Sequence, residues 1–218
     1  MITNKILNIT KIVVIISLLV SLTRPNITTI FLLLFTITLL FLADYLKKKL
    51  NYPYKLQIII YIFILGTELL GEINNYYNET KYFDDIMHTL SSFITSFLAV
   101  YILKKLTKDK TKKLTIIFAL TMSMSIASLW EITEFTIDKI FCTDMQKDTI
   151  ITTINSSIIS IDKNTPQKKE ITSLYVNNID YIETYGGYID IGLYDTMEDM
   201  ICALLGVLIF IIIFLLPK

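Results

Sequence analysis

The chain has 218 residues, 53% of them apolar and 18% charged, with a mean hydropathy of +0.58 and a formal net charge of zero. A water-soluble domain of this size rarely carries so apolar a composition, and balanced charge gives no argument for nucleic acid as a partner. Two cysteines, Cys142 and Cys202, lie far apart and supply neither a disulfide framework nor a Cys-x-x-Cys metal pair.

Residues 6–23 form the first apolar span. Lys5 and Lys11 precede its apolar centre, as in a signal peptide, but no small-x-small cleavage pattern follows. The span reads as an uncleaved helix that ends in a turn at Arg24-Pro25-Asn26, because proline disfavours helix at the residue before it. Residues 27–46 form the second span, closed by Lys47-Lys48-Lys49, and residues 56–74 the third. The fourth, residues 83–103, ends in a basic loop over 104–113. The fifth covers residues 114–137 and the sixth 195–216, with a long polar segment, 141–194, between them. Each span is near the roughly 20 residues that cross a ~30 Å hydrocarbon core.

The expected class is an all-α polytopic membrane protein. Residues 1–218 make a single integral membrane domain, a six-helix transmembrane bundle with a structured outer loop between helices 5 and 6. Lysine and arginine concentrate in cytoplasmic short loops. The 2–3 connection holds Lys47, Lys48, Lys49 and Lys55, and the 4–5 connection holds six lysines, against Arg24 and Lys81 in the alternate connections. This predicts a cell-membrane location with both termini cytoplasmic. Of the 20 acidic residues, only Asp44 and Asp109 then fall near the cytoplasmic side.

The outer segment is predicted to have structure of its own. Residues 149–162 and 177–192 are rich in β-branched and aromatic residues, and Gly186-Gly187 between Tyr185 and Tyr188 fits a two-residue hairpin turn. A small β-lid is one reading and a poorly ordered loop the other. Trp130, Tyr76, Tyr77, Tyr82 and Tyr194 fit an aromatic belt.

Acids gather at the outer ends of four helices: Glu68 and Glu72 on the third, Asp84 and Asp85 on the fourth, Glu131 and Glu134 on the fifth, and Asp195, Glu198 and Asp199 on the sixth. Spacings of three or four residues put Glu68 with Glu72, Asp84 with His88, Glu131 with Glu134, and Asp195 with Asp199 on one helix face each. His88, the only histidine, follows Asp84 by one turn, about 6 Å along the axis. Beyond Asp199 the face continues through Cys202 and Gly206, small residues that permit close packing. Lys81 and Lys139 are the only lysines adjacent, and like charges in low dielectric cannot all stay ionised. Either several acids are protonated or they surround a cation. One imidazole among carboxylates suits Zn, Mn, Fe or Mg better than Cu(I). A structural account competes, because Asp84, Asp85, Asp195 and Glu198 stand at helix N-termini, where acids cap the helix. It leaves out Glu131 and Glu134, near a helix C-terminus, and His88 and Asp199, a turn deeper. Ionisable groups inside a membrane are functional by default.

FDDIMH, LWEITEF and YDTMEDMICALLG, in this order, resemble the YjdF family of bacterial inner-membrane proteins. More distantly they are similar to VanZ-like membrane proteins. The resemblance covers roughly the third to sixth helices and puts Asp84, His88, Glu131, Glu134, Asp195 and Asp199 at the family's polar positions. Thr89 departs from an aromatic, Ser92 from a glycine and Gly192 from an acid, and the 141–194 loop is longer than the resemblance implies. The resemblance supplies no activity.

Three functional readings follow. The first is an envelope enzyme, a hydrolase or transferase dependent on a divalent metal ion. Asp84, His88, Glu131 and Asp199 are its ligands, Glu134 or Asp195 its general base, and a lipid-linked or envelope substrate within membrane lipid its target. The second is an ion- or proton-coupled transporter using the same acids. Few polar residues in the inner helix halves, and no internal repeat, weigh against it. The third is a structural assembly factor.

Overall fold

The computed structural model describes residues 2–23, 26–108 and 111–216. The turn expected at Arg24-Pro25, and the charges of Asp109, Lys110 and Lys218, lie outside the described residues. The chain divides into two compact units, Met1–Ser128 with Asp199–Lys218, and Leu129–Glu198.

Long apolar runs become helices because a membrane offers backbone amides no partner but their own. The helices are α1 (Ile2–Ser21), α2 (Ile27–Leu50), α3 (Tyr54–Leu65), α4 (Tyr76–Glu79), α5 (Phe83–Leu106), α6 (Lys112–Phe141), α7 (Tyr181–Tyr185) and α8 (Leu193–Leu215). Among the described residues, five helices are long and apolar enough to cross a membrane: α2, α3 with its continuation to Ile73, α5, α6 and α8. The sequence-based bounds agree to within a turn or so. Local chemistry sets the ends. Asn26 caps α2 by accepting the Thr29 N–H at 3.2 Å, and Lys47, Lys48 and Lys49 in its last turn complement the helix dipole. Asn51, at φ 55°, closes it with an N–H to the Lys47 carbonyl, and Pro53 opens α3.

In the first unit, α1, α2 and α3 pack around Val14, Leu33, Leu40, Ile60, Tyr61 and Ile64. From Gly66 to Ile73 the third helix widens into π-helical winding, and the Asn74 N–H reaches the Leu69 carbonyl at 3.1 Å. The expected pairing of Glu68 and Glu72 on one face is altered there: Glu68 is buried and Glu72 exposed. Tyr77 packs edge-on to Phe83 at 5.2 Å, and Gly71 leaves room for its ring. Tyr77 is therefore a packing residue.

Helix α8 lies against α5. Phe97 meets Phe93 and Phe210 edge-on, each at 4.9 Å between ring centres. At Gly206 the two backbones come so close that a Cβ would stand 2.1 Å from the Thr89 carbonyl oxygen and 3.0 Å from the Phe93 nitrogen. The small residue read from sequence thus has a specific neighbour, one position beyond His88. Ser123 on α6 hydrogen-bonds to Ser96 at 2.9 Å and Thr95 at 3.0 Å on α5, so these polar groups tie helices together.

The second unit carries three antiparallel strand pairs. Strand β1 (Ile150–Ile151) pairs with β6 (Tyr188–Ile189), β2 (Thr153–Ser156) with β3 (Gln167–Glu170), and β4 (Tyr175–Val176) with β5 (Ile179–Asp180). The two-residue hairpin turn is Asn177-Asn178, not Gly186-Gly187. Both asparagines have positive φ, 51° and 65°, as a type I′ turn requires, and asparagine tolerates that region. Gly186, at φ 84°, instead closes α7, and Gly187 lies where a Cβ would stand 2.4 Å from the Ile151 carbonyl oxygen. Asp180 caps α7 through the Ile182 and Glu183 N–H groups, and Asp190 accepts from Thr149, Gly192 and Tyr194. Asp162 is held below its ordinary pKa by hydrogen bonds from Ser160, Thr165 and Asn164. These acids hold loop backbone in place.

Candidate functional site

Three of the site residues expected from sequence meet within the first unit. Asp84 and His88 stand one turn apart on α5, and Asp199 comes from α8. The His88 Nε2 lies 3.4 Å from an Asp84 carboxylate oxygen and 3.6 Å from one of Asp199. Each of the three residues offers a ligand atom, and these atoms all lie within 4.8 Å of one another. Asp199 is only 3% exposed and the His88 side chain 12%. Gly206 positions the set, because the close approach of α8 to α5 beside Thr89 brings Asp199, two turns earlier, to His88.

The spacing is informative. A charge-assisted N–H···O bond is shorter, about 2.7–2.9 Å. With metal–ligand bonds of about 2.0–2.1 Å, the N···O edge of a tetrahedron is roughly 3.3–3.4 Å. The two His88 Nε2–carboxylate separations, 3.4 and 3.6 Å, lie close to that edge. Beside the set, the Cys202 thiol donates to Asp85 at 3.5 Å, so Asp85 is engaged next to the site and Cys202 does more than fill space.

The other expected residues belong to the second unit. Glu131 and Glu134 lie on α6, both buried, at 5% and 7% exposure, with carboxylate oxygens within 4.8 Å of each other. Asp195, in the first turn of α8, accepts the Lys147 N–H at 2.9 Å, and Thr196 next to it accepts from the Gln146 amide. Asp195 thus already serves its own unit.

A second polar cluster in the first unit is absent from the sequence-based reading. The Asp44 carboxylate on α2 is bonded by Lys11 of α1, by the Gln57 amide at 2.9 Å and by the Tyr61 hydroxyl at 2.8 Å, both on α3. The Tyr52 hydroxyl bonds the Gln57 side-chain oxygen at 2.6 Å and the Ala43 carbonyl at 2.9 Å. Burial, and then the Asp44 charge, hold the Tyr52 phenol above its ordinary pKa. The available signal was the single lysine within the first span, Lys11, which needs an acid on a neighbouring helix.

The apolar helices and the ionisable groups buried among them define a multi-pass membrane protein with acidic and histidine groups close together. The chain belongs to the family described as "Predicted membrane protein (DUF2238)", whose model matches residues 6–217. The resemblance to the YjdF family is consistent with that membership. No curated protein matches the chain, and no solved structure does.

Proposed function

We propose that this protein holds a divalent cation, with Zn favoured over Mn, Fe and Mg, through Asp84, His88 and Asp199. The observation that carries the reading is the convergence of the His88 Nε2 with one carboxylate oxygen each of Asp84 and Asp199, from two helices, all within 4.8 Å of one another. Bound there, such an ion supplies a Lewis acid and lowers the pKa of a coordinated water. The residues' part is to hold charge and orientation: His88 must present Nε2 unprotonated, and the two aspartates must stay ionised in an apolar surrounding. A metal-dependent hydrolase or transferase acting on a lipid-linked or envelope substrate is the activity we infer from that chemistry. The roles proposed for Glu131 as a ligand, and for Glu134 and Asp195 as bases, rest on the sequence alone, as does the distant VanZ-like similarity.

The test is thermal unfolding of the purified protein in detergent, with and without chelator. Binding stabilises by RT ln(1 + [L]/Kd), about 2.7 kcal/mol at a hundredfold excess. Chelator should lower the melting temperature, and His88→Ala should abolish that sensitivity. Co²⁺ added to the stripped protein should give the intense visible absorption of a tetrahedral centre. One further observation favours a second reading. The same Nε2 faces both carboxylates, so an imidazolium would bridge two anions and make this a proton-handling site. That reading predicts indifference to chelator and stabilisation on acidification.

We further propose a cell-membrane protein of six transmembrane helices, α1 included, with cytoplasmic termini and residues 141–194 outside, on the strength of the lysine asymmetry. Exposed Cys142 should react with an impermeant thiol reagent in intact cells, and Thr111→Cys should resist it. The opposite labelling would invert the topology.

A further inference from the structure

Asp44 and Gln57 of this cluster line a cleft of about 490 Å³ between α1, α2 and the start of α3. Its wall includes Asn8, Lys47, Lys48, Asn51 and Tyr54. Asp44 is neutralised by Lys11, so the lining charge that remains is that of Lys47 and Lys48. Lys47 is not a freely waving surface lysine. Its ammonium lies over the Tyr54 ring at 4.6 Å and the Tyr52 ring at 5.5 Å. Tyr52 is fully buried and anchored by its own hydrogen bonds, so the lysine rests on a fixed platform. Asn8 and Asn51, whose side-chain amides are neutral donors, line the same cleft.

We propose that this cleft binds a phosphate anion, specifically the headgroup phosphate of an anionic phospholipid. Two ammonium groups with amide donors match a phosphodiester, and basic pockets between membrane helices bind such headgroups. The lipid source is favoured over a free phosphate by what adjoins the cleft. Leu7 lines it, and Ile6 and Ile9, beside Leu7 and Asn8 in sequence, are half-exposed apolar side chains on α1. In this arrangement the acyl chains lie along them while the phosphate meets the lysines. Neither the cation site nor any activity is assumed.

The test is native mass spectrometry of the full chain in detergent with phosphatidylglycerol or phosphatidylcholine added. Phosphatidylglycerol should be retained in preference. The double variant Lys47→Ala/Lys48→Ala should weaken its retention about thirtyfold, from roughly a factor of five per lysine near a membrane surface. The double arginine variant should keep it. Lys112→Ala/Lys113→Ala, which removes two exposed lysines from α6, should change nothing. Retention of glycerol 3-phosphate as strong as that of the lipid would keep the phosphate site and assign it to a free anion. Equal retention of the two lipids and no binding of glycerol 3-phosphate would overturn the proposal. So would equal losses from the two alanine double variants, which would trace retention to overall charge.

Discussion

Asp44 and Asp199 are both acids that an apolar helix carries to a basic side chain on another helix, and their surroundings differ. Asp44 is held by an ammonium, an amide and a phenol, the latter two at 2.9 and 2.8 Å, ordinary hydrogen-bond lengths. Asp199 stands 3.6 Å from the His88 nitrogen, and Asp84 stands 3.4 Å from the same atom. The first arrangement is closed in the sense that donors and acceptor are matched to one another. The second gathers one imidazole and two carboxylates whose ligand atoms lie within 4.8 Å of one another. The two clusters thus differ in chemistry as well as in spacing: one acid among three donors, against one imidazole between two acids.

The largest effect is expected at the closed cluster. Asp44→Ala leaves Lys11, Gln57 and Tyr61 without their shared acceptor, and hydrogen bonds to charged groups are worth about 1.5–3 kcal/mol each. The Asp44 side chain is 34% exposed, which keeps the total below that of a fully buried ion pair. A loss of about 2–4 kcal/mol in detergent unfolding is expected, with chelator sensitivity intact. A change below about 1 kcal/mol would remove the contrast on which the comparison rests.

A smaller effect is expected at Gly206. A Cβ there would overlap the Thr89 carbonyl, so Gly206→Ala fits only if α8 withdraws from α5. Overpacking of this kind costs about 1–3 kcal/mol. The variant touches no ligand, yet it should also weaken cation retention, because it moves Asp199 relative to His88. Full retention in a destabilised protein would show that the cation does not depend on that helix spacing.

Much of the open site was legible in the sequence. Asp84 and His88 are four apart, so helix geometry alone joins them. Asp199 and Gly206 share a stripe on their helix, and that stripe faces α5. The closed cluster was not legible. Asp44 is 33 residues from Lys11, 13 from Gln57 and 17 from Tyr61, so three helices must pack before any partner appears. By sequence Asp44 reads as an ordinary charge at a helix end. The hairpin turn was misjudged for a different reason. Gly186-Gly187 and Asn177-Asn178 are both competent for positive φ, and Asp180 decides between them by capping the helix that Gly186 ends. The π-helical turn around Glu68 likewise has no local signature beyond its two glycines, Gly66 and Gly71.

The most direct test of the cation site is the metal content of the purified protein beside that of Asp199→Asn. An amide is a poor ligand but nearly isosteric with the carboxylate, so the fold should survive while one corner of the site is lost. Close to one divalent ion per chain is expected in the unmodified protein, and a small fraction of that in Asp199→Asn. Metal-free protein would contradict that expectation, provided that its stability ignores added divalent ions and chelator and rises on acidification.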